Sequence, residues 1–154
     1  MSSKKWKWGA CFIVLLFFLF IRLPVIVFDF GAEVYLLKED SFALEWIHSV
    51  EKEEWIEFYE RDGENLLLTE TVFKTFGAGV PSDGEIIPSD DGFIHMRIDR
   101  RLPEMNLTVS ENAATAIQTE KKKVLLYELA EDYEMVSISV QFVHLWEYIG
   151  GKEL

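Results

Sequence analysis

The chain has 154 residues, 14% of them aromatic, and a net charge of −12 from 27 acidic and 15 basic side chains. That apolar mass suffices for one packed domain with at most one appendage. The acidic field excludes nucleic-acid backbones as ligands, and the single cysteine, Cys11, excludes an internal disulfide or a cysteine-built zinc site.

The first element is a membrane segment. Lys4, Lys5 and Lys7, with Trp6 and Trp8, precede an unbroken apolar run from Ala10 to Ile21, which continues past Arg22 and Pro24 to Phe28. Alone, the shorter run spans about 18 Å as a helix, less than a hydrocarbon core of about 30 Å, so the longer one is needed. The tryptophans suit the near interface, Arg22 can snorkel at the far one, and the lysines place the N-terminus inside. No small-residue pair fits a cleavage site near Gly31 and Ala32, which favours an uncleaved signal-anchor over 1–31 and an extracytoplasmic domain over 32–154. Cys11 has no apolar run before it, so it does not read as a lipidation site.

Period-two alternation then begins. Phe42, Leu44, Trp46, His48 and Val50 share one strand face, and Ala43, Glu45, Ile47 and Ser49 the other. A polar turn over 51–54 leads to a strand from Trp55 to Glu60, and Asp62-Gly63 centres a hairpin into a third strand from Asn65 to about Phe76. Further strands are expected around 94–99, 107–109, 113–119 and 124–129. The clearest lies over 135–143, where Val136, Ile138, Val140 and Phe142 face one way. The tail, HLWEYIGGKEL, reads as a short helix or a frayed end. The expected fold is all-β, a small antiparallel β-sandwich or open barrel with an N-terminal transmembrane helix.

The stretch FKTFGAGVPSDGEIIPSDDG, 73–92, tempts a phosphate-loop reading. A dinucleotide loop needs a third glycine where Ser82 stands and a helix where Pro81 and acidic residues follow. Asp83, Glu85, Asp90 and Asp91 would also repel a phosphate. The loop reads as architectural, with Gly77 and Gly79 supplying backbone angles closed to other residues. A divalent cation among its carboxylates lacks EF-hand spacing, and no cofactor is expected.

WIHSVEKEEWIEFY followed by ETVFKTFGAGVP resembles the bacterial domain-of-unknown-function family 1850, over about residues 40–143. The matching positions are His48, Ser49, Glu51, Glu57, Phe76, Gly77, Gly79 and Pro81, while Glu53 and Glu54 stand where many members carry a proline. The resemblance implies a small extracytoplasmic protein accessory to TRAP-type transporters with TAXI-class solute receptors, with a transporter subunit or receptor as partner. It implies no activity.

At residue level, neighbouring His48 and Ser49 point to opposite faces of a regular strand. His48 and His144 each close an apolar row, so both could meet at one rim of the core with Glu57 or Glu70 as a metal or ligand pocket; the alternative is that each satisfies a strand-end carbonyl. His95 alternates with Arg97 and reads as solvated. The candidate ligand-binding set is His48, Ser49, Glu57, Gly77 and Gly79, with no complete catalytic constellation. The leading expectation is a membrane-anchored binding or accessory module. The alternatives are a metal-assisted hydrolase using His48 and Glu57, and a structural envelope protein.

Overall fold

The computed structural model describes residues 18–154. They form eleven strands in two antiparallel sheets. One sheet has the order β2-β1-β11-β8, from Val34–Leu37, Arg22–Asp29, Met135–His144 and Glu104–Thr108. The other has the order β10-β9-β3-β4-β5-β7-β6, from Lys123–Leu125, Ala116–Gln118, Ser41–Ile47, Glu54–Asp62, Asn65–Phe73, Ile94–Leu102 and Glu85–Ile87. The main apolar core lies between them. Ile26, Phe28, Val136 and Ile138 from the first sheet meet Phe42, Leu44, Leu66 and Ile117 from the second. The all-β expectation holds, and the helical content is a 3-10 turn at Leu126–Glu128 and a C-terminal helix at Leu145–Gly150, besides 18–20.

The expected transmembrane helix is corrected from Arg22 onward. Arg22–Asp29 is β1, flanked by β11 and β2. Among the described residues, no helix is long and apolar enough to cross a membrane. The lysine and tryptophan flank and most of the apolar run lie outside the described residues. The physical reason for the misreading is that β1 is buried on both faces. Ile26 and Phe28 enter the main core, while Val25 and Val27 pack on the opposite side with Leu36, Val143 and Tyr148. A strand covered twice reads as a continuous apolar run. Pro24 fits because β2 pairs with β1 only from Ile26 to Asp29, leaving one flank of the proline without a neighbouring strand.

The tail is not frayed. After the helix, the Leu36 N–H donates to Lys152 O at 2.8 Å and the Leu154 N–H to Leu36 O at 3.1 Å, and Leu154 is buried. These bonds fasten the chain end beside β2.

The meander β3-β4-β5 positions the site. Asp62 pairs with Asn65, so the hairpin loop is Gly63-Glu64, not Asp62-Gly63. Gly63 has φ +63° and Glu64 is not left-handed, the pattern of a type II′ turn. Two bulges tune which side chains face inward. Thr69 is the extra residue of β5 against β4, which lets Leu66, Leu68, Thr71 and Phe73 all point to the interior. Against β5, three steps of β7 (Arg97 to Arg100) match two of β5, and Asp99 takes φ +54° within them.

Candidate functional site

β3 ends at Ile47, one residue before the expected strand face would have reached His48. His48 to Glu53 form a turn instead. The His48 N–H donates to Glu53 O at 2.8 Å, the Lys52 N–H donates to His48 O at 3.0 Å, and Lys52 takes φ +57°. Val50, expected on the buried face, is 69% exposed. His48 and Ser49 therefore do not diverge across a sheet: both line one cleft.

The turn rests on an aromatic ladder. The buried Trp55 ring stacks on His48 at 5.4 Å, on Trp46 at 5.7 Å and on Phe73 at 5.0 Å. Phe76 meets Phe73 edge-on at 5.5 Å and is 62% exposed. The Trp55 indole Nε1–H donates to the buried Thr71 hydroxyl at 2.7 Å, so burying the indole leaves no orphan donor.

Glu51 joins the two sequence motifs. Its Oε2 pairs with His48 Nδ1, and its Oε1 accepts the Ala78 N–H at 3.1 Å. Burial pushes the Glu51 carboxyl up, but hydrogen bonds from the Ala78 and Glu51 N–H groups, with His48 beside it, outweigh that and hold it below its usual range. Gly77 is required by this contact. A Cβ there would overlap the Glu51 carboxylate. Gly77 does not serve as a left-handed residue, contrary to the sequence reading, whereas Gly79 does, at φ +83°. The Thr75 hydroxyl adds a second tie, donating to Glu53 at 2.7 Å. His-Ser-Val-Glu and Phe-Gly-Ala-Gly are thus two halves of one corner. Glu51 matched the family pattern in the sequence, but only a cross-strand contact shows it as the link.

Glu57 is elsewhere. It faces the interior of β4, where its carboxylate accepts the Tyr59 hydroxyl at 2.5 Å. Burial pushes Glu57 up, the Tyr59 and Arg100 contacts pulling the other way, and burial likewise raises the Tyr59 phenol. No hydrogen bond joins Glu57 to His48, whose ring meets the Trp55 ring, Glu51 and the Val50 N–H instead. His144 does not meet His48 either. The cleft beside His48 includes Tyr133, just before β11, while His144 ends β11 and stacks on Trp146 at 4.1 Å. The ten extended residues of β11 separate the two ends by roughly 30 Å. The expected pocket of two histidines with Glu57 or Glu70 is corrected accordingly. Among the described residues, no group of three or more His, Cys, Asp or Glu is placed to hold a metal.

His95 is not simply solvated. It bridges the β5 residue Glu70, through Nδ1, and Asp91, whose Oδ2 lies 2.9 Å from Nε2. Asp91 is held at about 2, first by the Ser89 hydroxyl, then by the Phe93 N–H and His95. Its hydrogen bond to Asp91 in turn raises His95, against a smaller opposing effect of burial. Sequence alternation put His95 on a polar face correctly but could not place an acidic partner across the sheet.

Residues 42–126, more than half of the chain, match the family described as Domain of unknown function (DUF1850). No curated protein matches the chain, and no solved structure does. The matched span runs from β3 to the first residue of the 3-10 turn and contains the whole corner. The chain belongs to this family.

Proposed function

We propose that this member of the DUF1850 family is an extracytoplasmic accessory module, held at the membrane by the segment preceding its β-body, that docks a solute receptor or transporter subunit of a TRAP-type (TAXI) uptake system. The observation that carries the reading is the corner itself. Both family motifs converge on Glu51, and the assembly presents one aromatic ring, Phe76, seated edge-on against Phe73 of the buried stack. An exposed aromatic on a rigid base is the usual anchor of a protein interface, because it buries large apolar area with little loss of side-chain freedom. The acidic body adds a long-range field that would speed encounter with a cationic partner face.

The test is co-expression of the intact chain with TAXI receptor and membrane subunits, followed by co-purification. Phe76→Ser is expected to lower recovery of the partner at least about tenfold, the effect of losing one anchor residue. It should leave the melting temperature unchanged, since the ring is mostly exposed. Equal recovery by wild type and variant, or no recovery by either, would contradict the proposal.

A further inference from the structure

His48 borders a second feature, a cleft of about 500 Å³ between the turn after β3 and the loop after β8. That size suits a small organic molecule. The two walls are tied together, the Ile47 N–H donating to Ala113 O at 2.7 Å. The chain carries 27 Asp and Glu, yet none of them lines this cleft. Its permanent charge is Lys52, held by the turn at φ +57° and forming no ion pair among the described residues. The other polar groups of the lining are donors or can serve as donors. Ser49 contributes a hydroxyl. Asn112 Nδ2–H donates to the Tyr133 oxygen at 3.5 Å, which leaves the Tyr133 proton free for an acceptor. Ile47, Ala113 and the Tyr133 ring supply apolar surface.

We infer that this cleft binds a small organic monoanion, with its carboxylate at Lys52 and the Ser49 hydroxyl, and its apolar part against Ile47, Ala113 and Tyr133. A cationic ligand is disfavoured by Lys52, and a neutral one forgoes a charge-assisted bond to it. This inference goes beyond the docking reading and does not depend on it, because Phe76 is not part of the cleft lining.

The test uses three probes of one shape, benzoate, benzamide and benzylammonium, titrated into the isotopically labelled 154-residue chain and followed by amide chemical shifts. Benzoate is expected to shift the Lys52, Ser110 and Asn112 amides saturably, benzamide weakly, and benzylammonium not at all. Lys52→Gln should weaken benzoate about tenfold, equivalent to about 1.4 kcal/mol, whereas Lys52→Arg should retain it. Phe76→Ser should leave benzoate binding unchanged. Melting curves establish that each variant is folded, and Lys52→Arg controls for the turn. Absence of saturable benzoate shifts, an equal response to benzylammonium, or a benzoate affinity indifferent to Lys52→Gln would overturn the inference.

Discussion

Phe28→Ala is expected to destabilise the β-body by about 3–5 kcal/mol, the range for deleting a buried phenylalanine and leaving a cavity. The body as a whole should be worth only about 5–15 kcal/mol, so one substitution consumes a large part of the margin. Phe28 is fully buried, meets Phe42 edge-on at 5.5 Å, and lies on β1 opposite Ile138 of β11 and Tyr35 of β2. Truncating it opens the core between the two sheets at its first strand. A lipid-facing position near the end of a membrane helix would tolerate the same change almost silently, because alanine remains apolar. Chemical denaturation of the intact chain, followed by tryptophan fluorescence, separates the two. A loss below about 1 kcal/mol would place Phe28 outside the core.

Trp55→Ala should cost a similar amount, about 3–5 kcal/mol, by cavity formation and loss of stacking. Trp55 is the central ring of the ladder that carries the His48 turn at one end and Phe76 at the other. Its removal should therefore loosen the motif corner as well as the sheet. Trp55→Phe is the informative companion. Phenylalanine keeps most of the stacking area but strips the Nε1–H donor from the buried Thr71 hydroxyl, an effect of about 1–3 kcal/mol for a buried polar group left alone. Combining Trp55→Phe with Thr71→Val should recover part of that loss. If Trp55→Phe is as damaging as Trp55→Ala, the hydrogen bond outweighs the stack; if Trp55→Ala is mild, the ladder does not support the corner.

The sequence was legible where one sheet face is dry and the other wet. β4 and β11 show this: Trp55 and Tyr59, or Val136 and Ile138, alternate with more polar or exposed neighbours. Legibility failed where that asymmetry is absent. β1 is covered on both faces, so its run LPVIVF carries no period of two and reads like part of a hydrocarbon-spanning segment. His48 was misplaced for a different reason. The apolar-polar rhythm of β3 runs on into residues that turn away, and Lys52 in a left-handed conformation is not signalled by its side chain.

The candidate site was half legible. His48, Ser49 and Gly77 were singled out, and all three take part in the corner or its adjoining cleft. What holds them together was not, since Glu51 and Ala78 are far apart in the chain and meet through a side-chain-to-backbone bond. Gly77 shows the limit well. A glycine can be needed for its angle or for its missing Cβ, and sequence alone does not say which. Thr69 and Asp99, at the two bulges, carry no composition cue either, yet they decide which residues of β5 and β7 face the core.

The central claim is that Glu51 locks the two family motifs into one corner. It is tested most directly by the amide proton shift of Ala78 in the intact chain as pH is lowered. Glu51 is held below its ordinary value of 4.5, so its carboxylate contributes fully above the unfolded value and is lost as pH falls through the lower folded one. The Ala78 proton should stay downfield through pH 4.5 and move upfield only beneath it, and the step should vanish in Glu51→Gln. A shift that is flat across the acid range, or a midpoint at or above 4.5, would mean that the carboxylate does not hold the Phe-Gly-Ala-Gly segment.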